Sequence, residues 1–212
     1  MKYLSQPGAD VIMLLTAFSY IKNKTGYLQE FLTDPRKTGT IAPSSMRLCR
    51  TMSEAIDWRR CESVAELGAG DGVLTRHLLS KMRPDAALLA FETNPRFLSR
   101  LQAIGDPRLQ ISSASAETLS GDYDAIFSGL PLLSLPTPVR HRILERAAAR
   151  LRPQGIFVQF QYTALSEPLL SDYFAWERTR VFCNLPPAWV YRCCPPEKVS
   201  DSAARQVIKT GA

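Results

Sequence analysis

The chain has little of what several protein classes depend on. It has two histidines, His77 and His141, far apart in sequence, and five cysteines (Cys49, Cys61, Cys183, Cys193, Cys194) that form no C-x-x-C pair. A zinc site or a disulfide framework is therefore not expected, no metal is expected at all, and reduced thiols in a cytosolic protein are the simplest reading. The best apolar run, VIMLLTAF (11–18), is about eight residues long, against roughly 20 for a spanning helix. No small-residue cleavage site follows it, so a signal peptide is not expected either. Repeats and low-complexity tracts are absent. These absences point to a cytoplasmic protein, with peripheral contact on the inner face of a membrane left open.

What is present suits one domain of 212 residues with a helical extension, with 45% hydrophobic and 22% charged residues. The net charge is +6. Residues 1–60 hold nine Lys and Arg against five Asp and Glu, so most of the excess is local. RNA, DNA and anionic lipid are all compatible partners, and so is a merely solvated basic face.

The most informative run is Val64-Ala65-Glu66-Leu67-Gly68-Ala69-Gly70-Asp71-Gly72. A short apolar strand carries an acid near its end and feeds a turn with three alternating glycines. VLTRHLLSKM (73–82) then reads as a helix, whose start offers free N–H groups and a positive dipole end. A second strand, AALLAF (86–91), ends in Glu92, where an acid commonly accepts hydrogen bonds from a ribose diol. A dinucleotide fingerprint would place a third glycine at position 73, which is Val73. A nicotinamide site and a purely structural turn remain as alternatives.

Further along, helices are expected at 10–32, 46–57 (capped by Ser44 or Ser45), 95–103 and 138–151. Strands are expected at 63–67, 108–112, 124–129 and 156–162, with two more within 177–193. The Pro153-Gln154-Gly155 segment reads as a stop between helix and strand. Alternating strands and helices with a terminal hairpin predict an α/β three-layer, Rossmann-like sandwich. Its sheet is mostly parallel and seven-stranded, with a terminal antiparallel strand, plus N-terminal helices. The predicted organisation is an N-terminal helical extension or lid (1–60), a cofactor-binding catalytic domain (61–200) and a flexible tail (201–212).

The alternating glycines and upstream acid resemble the cofactor loop of class I S-adenosylmethionine-dependent methyltransferases. The resemblance implies that fold, S-adenosylmethionine as cofactor, and a cofactor set comprising Glu66, Gly68, Ala69, Gly70, Gly72, Glu92, Thr93, Ser115, Ala116 and Ser128. In that family the upstream acid lies near the methionine end and the acid after the second strand holds the ribose. The usual Gly-Asp-Ala after the third strand is Ala114-Ser115-Ala116 here. Ser115 is a weaker, neutral partner, for which Glu117 nearby can substitute.

FLTDPRKTGTIAPSS (31–45), ELGAGDGVLTRHLL (66–79), SGLPLLSLP (128–136), HRILERA (141–147), FVQFQYT (157–163) and NLPPAWVYR (184–192) together resemble the bacterial soluble phospholipid N-methyltransferases. These convert phosphatidylethanolamine to phosphatidylcholine. The ribosomal adenine dimethylases resemble the chain more distantly. In amine methyltransferases acting on bases, the loop after strand four supplies an Asn or Asp and an aromatic that stacks the flipped base. Gly129 and Leu132 stand there instead, which makes RNA a less favoured partner than a phospholipid amine. The resemblance implies catalytic roles for Leu130, Pro131 and Tyr162, whose ring also suits a methylated cation. Lys22, Lys24, Tyr27, Arg36 and Lys37 are expected at the substrate or at an anionic membrane surface. A lid packed on the sheet is the alternative for that segment. A small-molecule methyltransferase, an RNA adenine N6-methyltransferase and a binding module with a vestigial cofactor site stay open as other functions.

Overall fold

A computed structural model describes residues 43–182 and 187–195, with side chains from Met46 onward. Residues 1–42 and 43–212 separate as two compact units, and the described residues belong to the second. The strands are β1 (Ser63–Leu67), β2 (Ala87–Phe91), β3 (Leu109–Ser112), β4 (Tyr123–Ser128), β5 (Leu151–Gln161), β6 (Ala175–Val181) and β7 (Ala188–Cys194). The helices are α1 (Pro43–Glu54), α2 (Val73–Lys81), α3 (Pro95–Gln102), α4 (Thr137–Ala149) and α5 (Glu167–Ser171).

One sheet holds all seven strands in the order β3-β2-β1-β4-β5-β7-β6. β1 to β5 pair in parallel, with Val64 beside both Leu88 and Ala125. β7 runs antiparallel to both β5 and β6, so it is the single reversed strand. The chain leaves β1 toward β2 on one side, and β4 pairs on the other. That reversal opens a crevice at the carboxyl ends of β1 and β4, where ligands of open α/β sheets bind.

Both faces of the sheet are covered, which is why β1 and β4 read as continuous apolar runs. On one face Leu48 and Met52 of α1 and Leu78 and Leu79 of α2 pack on Val64, Phe127 and Val158. On the other, Ile143, Leu144 and Ala147 of α4 and Leu170 of α5 pack on Leu67, Ile126, Phe157 and Tyr191. Cys49, Cys61 and Cys193 are buried free thiols, and burial pushes the first two up to about 12.

Several elements depart from the sequence reading. α1 begins at Pro43 rather than at a serine cap, since proline's fixed φ suits the first helical position. It stops at Glu54, where the Trp58 indole donates to the Ser53 carbonyl at 2.9 Å. Pro153-Gln154-Gly155 is an irregularity inside β5, not a break before it. Tyr123 pairs with Leu151 but Ala125 with Ile156, and Gln154 takes φ +67°. The five-residue helix α5 was absent from the sequence reading, because Pro168 obscures it. His141 is half-buried, with its Nδ1 2.7 Å from the Tyr173 hydroxyl.

Candidate active site

The turn between β1 and α2 lies at the mouth of the crevice. The Gly68 and Ala69 N–H groups both donate to the Phe91 carbonyl, at 2.9 and 3.0 Å, which ties the turn to the end of β2. Gly68, Gly70 and Gly72 all have positive φ. A Cβ on Gly70 would meet nothing within 4 Å, so the backbone faces an opening there. A Cβ on Gly68 would lie 2.7 Å from Leu130 Cδ2, so the turn and the loop after β4 are in contact.

Glu92 closes the turn. Its Oε2 accepts from Gly70 N at 2.8 Å and its Oε1 from Asn94 N at 2.7 Å. Asn94 caps α3 by accepting from Arg96 N. Thr93 between them is exposed. Glu66 sits deeper, 1% exposed, and accepts from the Thr75 hydroxyl at 2.7 Å. Burial raises its pKa from the usual 4.5 to about 8, and the nearby charges of Glu92 and Asp71 push the same way.

This arrangement fits S-adenosylmethionine. The cofactor carries a sulfonium and an ammonium, and the carboxyl groups of Glu66 and Glu92 flank the turn that is open at Gly70. α2 has no side-chain cap, so its first-turn N–H groups have no side-chain acceptor. Glu66, Gly70 and Glu92 are the residues placed to hold it.

The Glu66 shift has a measurable consequence. Between pH 4.5 and about 8 the folded protein keeps the proton that the unfolded chain has lost. Raising the pH through that window therefore destabilises the fold, and the full penalty is present above it. Glu66→Gln keeps an acceptor for Thr75 without the charge. It is expected to leave stability near pH 4 unchanged and to raise it at pH 9 by an amount on the order of a few kcal/mol, measured by denaturant unfolding of the ligand-free protein. Equal effects at both pH values would mean that the carboxyl is ionised throughout.

Ser115 begins a 3-10 turn, Ala116–Thr118, and its hydroxyl is committed within it. It donates to Glu117 Oε2 at 3.0 Å and accepts from Glu117 N. The other Glu117 oxygen accepts from Arg142, which holds that carboxyl below its usual range. Glu117 is thus already paired, and Ala116 is buried beneath it.

Ser128, the last residue of β4, is fully buried, and so is Leu132 in the loop that follows. Pro131 is half-buried. The Leu130 carbonyl accepts from both Gln159 Nε2 and Gln161 Nε2, each at 3.1 Å. Those two acceptances use the lone pairs by which that oxygen would grip a substrate amine. Phe160, from the other face of β5, would lie 3.4 Å from a Cβ on Gly129, and Tyr162 packs edge-on against it with centroids 5.7 Å apart. Gly68, Leu130, Gly129, Phe160 and Tyr162 therefore form one contiguous surface. Lys22, Lys24, Tyr27, Arg36 and Lys37 lie outside the described residues, as does the expected helix 10–32.

Three partners escaped the sequence reading: Thr75, Gln159 and Gln161. The two glutamines had a visible signal, since both fall on one face of the otherwise apolar strand FVQFQY. Among the described residues no group of three His, Cys, Asp or Glu is placed to hold a metal ion. No helix among them is long and apolar enough to cross a membrane.

Residues 64–155 match the family model described as a methyltransferase domain. The ornithine lipid N-methyltransferase of Singulisphaera acidiphila is 29% identical, over 79% of this chain and 93% of that protein. The trans-aconitate 2-methyltransferase of Deinococcus radiodurans is 30% identical, over 50% of this chain and 40% of that protein. Among solved structures, the N-methyltransferase NodS from Bradyrhizobium japonicum in complex with S-adenosyl-L-homocysteine superposes with a TM-score of 0.66 at 15% identity. It covers 81% of this chain and 98% of its own.

Proposed function

We propose that the chain, which carries a methyltransferase domain on a Rossmann-like fold, uses S-adenosylmethionine to N-methylate a primary amine carried on a lipid, with the phosphatidylethanolamine headgroup as acceptor. The observation that carries this reading is the loop after β4. Gly129 offers no side chain to grip a base amine, and Leu132 is in the core where a stacking aromatic would stand. The Leu130 carbonyl is already taken by two amides. A flat exocyclic amine finds neither grip nor stack there, whereas a flexible alkyl amine needs neither. The alignment with an ornithine lipid N-methyltransferase across nearly all of that protein supports the same substrate class.

When bound, the cofactor supplies an electrophilic methyl group on a sulfonium that a neutral amine displaces in line. The chain's own residues position and desolvate. Glu92 and the glycine turn would hold the nucleoside end, and Glu66 the positive methionine end. Methylation needs the lone pair of the amine, so the substrate ammonium must first lose its proton to a base or to water. In this reading Tyr162 accepts a hydrogen bond from the amine, and its ring face holds the cation that accumulates with each methyl group. Most of the rate gain then comes from alignment and from exclusion of water.

Methyl transfer from labelled cofactor to total lipid and to total RNA tests the reading directly. Label is expected in the amino-lipid fraction, first on phosphatidylethanolamine and then on an ornithine lipid if the former stays blank. Label confined to RNA, or no turnover on any amino-lipid, would sink it.

A further inference from the structure

We propose that the sheet rim formed by the loops after β4, β5 and β6 docks the protein on an anionic lipid bilayer, with Leu133, Leu165 and Phe182 entering the interface and Arg180 among the phosphates. The inference deepens the lipid-amine reading and rests on it.

Three large apolar side chains are exposed among the described residues: Leu133 at 40%, Leu165 at 51% and Phe182 at 75%. A single exposed leucine requires no explanation. Their common location does. Leu133 follows the carboxyl end of β4, Leu165 that of β5 and Phe182 that of β6. β4 and β5 are parallel, and β6 runs the same way because β7 is antiparallel to both β5 and β6. All three loops therefore leave one edge of the sheet, the edge that also carries the glycine turn. Neighbouring strands lie about 4.8 Å apart, so β4 and β6 are separated by about 15 Å. The rim presents apolar groups across that span with no helix over them among the described residues.

The cations on this rim complete the pattern. The Arg180 guanidinium lies 4.4 Å from the Trp189 ring and 5.7 Å from the Phe182 ring. Its Nε has no hydrogen-bond partner, and among the described residues it pairs with no carboxylate. Arg178 stacks on the same Trp189 ring at 4.3 Å, but Glu167 neutralises it. Arg140, in the first turn of the helix that follows Leu133, also lacks a partner for its Nε. An arginine stacked on aromatic rings with no carboxylate partner among the described residues, beside exposed aliphatic side chains, matches an interface of phosphates over acyl chains. A single-stranded nucleic acid would use the arginines and the rings, but Leu133 and Leu165 offer nothing for a base to stack on. Docking by this rim would bring the headgroup amine to the edge where the methyl group is held.

The test uses the full-length chain, sedimented with vesicles of phosphatidylglycerol and phosphatidylcholine. The triple variant Leu133→Ser, Leu165→Ser, Phe182→Ser is expected to partition about tenfold less than the parent, and Arg180→Gln a few-fold less, with the Arg180 effect vanishing in high salt. Calorimetric binding of S-adenosylhomocysteine should be unchanged in both, which reports the fold. Turnover on vesicle phosphatidylethanolamine should fall in step, while turnover on monomeric short-chain phosphatidylethanolamine stays within about twofold of the parent. Should the triple variant lose S-adenosylhomocysteine binding, Phe182→Ser and Arg180→Gln alone decide. Unchanged partitioning in the variants overturns the proposal, as does binding of single-stranded RNA by a parent protein that ignores vesicles. A parent that partitions through the rim yet methylates no amino-lipid leaves the docking surface standing and removes the substrate reading instead.

Discussion

Replacing Gly70 by valine is expected to abolish cofactor binding while the domain stays folded. Gly70 has φ +56°, and its Cβ direction is open for 4 Å. An L-residue in that conformation costs about 1–2 kcal/mol, somewhat more for a β-branched one. No clash at the Cβ adds to this, since nothing lies within 4 Å of it. The isopropyl group would instead fill the opening that the turn leaves. The dissociation constant for S-adenosylhomocysteine should rise by about 100-fold or more, with alanine intermediate, and the melting temperature should fall by only a few degrees. Gly68 behaves differently. A Cβ there strikes Leu130 Cδ2 at 2.7 Å, so Gly68→Ala should lose stability and displace the loop after β4. Calorimetry and thermal unfolding on the three variants separate the two effects. Normal affinity in Gly70→Val would show that the ligand does not pass this turn.

Glu92 is expected to give the second large effect, and a graded one. Its two oxygens take two backbone N–H groups, from Gly70 and Asn94. Hydrogen bonds to a charged acceptor contribute roughly 1.5–3 kcal/mol when well shielded, less at this half-buried position. Glu92→Gln keeps one acceptor and turns the other into a donor facing an N–H. Glu92→Ala removes both and leaves the turn held to the end of β2 by the Gly68 and Ala69 N–H bonds to the Phe91 carbonyl alone. Affinity for S-adenosylhomocysteine should drop by about tenfold in the first and about 100-fold in the second. The ribose contact proposed for the same carboxylate is lost along with the loop support. Adenosine alone distinguishes these contributions: if the carboxylate binds the ribose, adenosine affinity falls as steeply as that of the full nucleoside. Parent-like affinity in both variants would remove Glu92 from the site.

Much of this was legible in the sequence because local chemistry dictated it. The three glycines announced a turn only they could make, and Glu66 and Glu92 were marked by their positions at strand ends. The parallel order followed from alternating apolar strands and capped helices. What stayed hidden depended on contacts remote in sequence. Thr75 reaches Glu66 only because the turn folds α2 back over β1. The two glutamines on one face of β5 were visible, but their shared acceptor, the Leu130 carbonyl, is about 30 residues away. Ser115, expected as a weak, neutral partner of the cofactor, has its hydroxyl bound within its own turn. The Pro153-Gln154-Gly155 segment reads as a stop between helix and strand, because punctuation by proline and glycine does not tell a bulge from an end.

The position of β7 constrains how the chain can be assembled. Among the described strands it comes last in the sequence, yet it lies between β5 and β6 and supplies the pairing that joins them. A nascent polypeptide ending near residue 187 can zip β1 through β5, but β6 then has no neighbour to hold it. Completion of the sheet waits for residues 188–194, and until they are made the edges of β5 and β6 that β7 pairs are open to association with other chains.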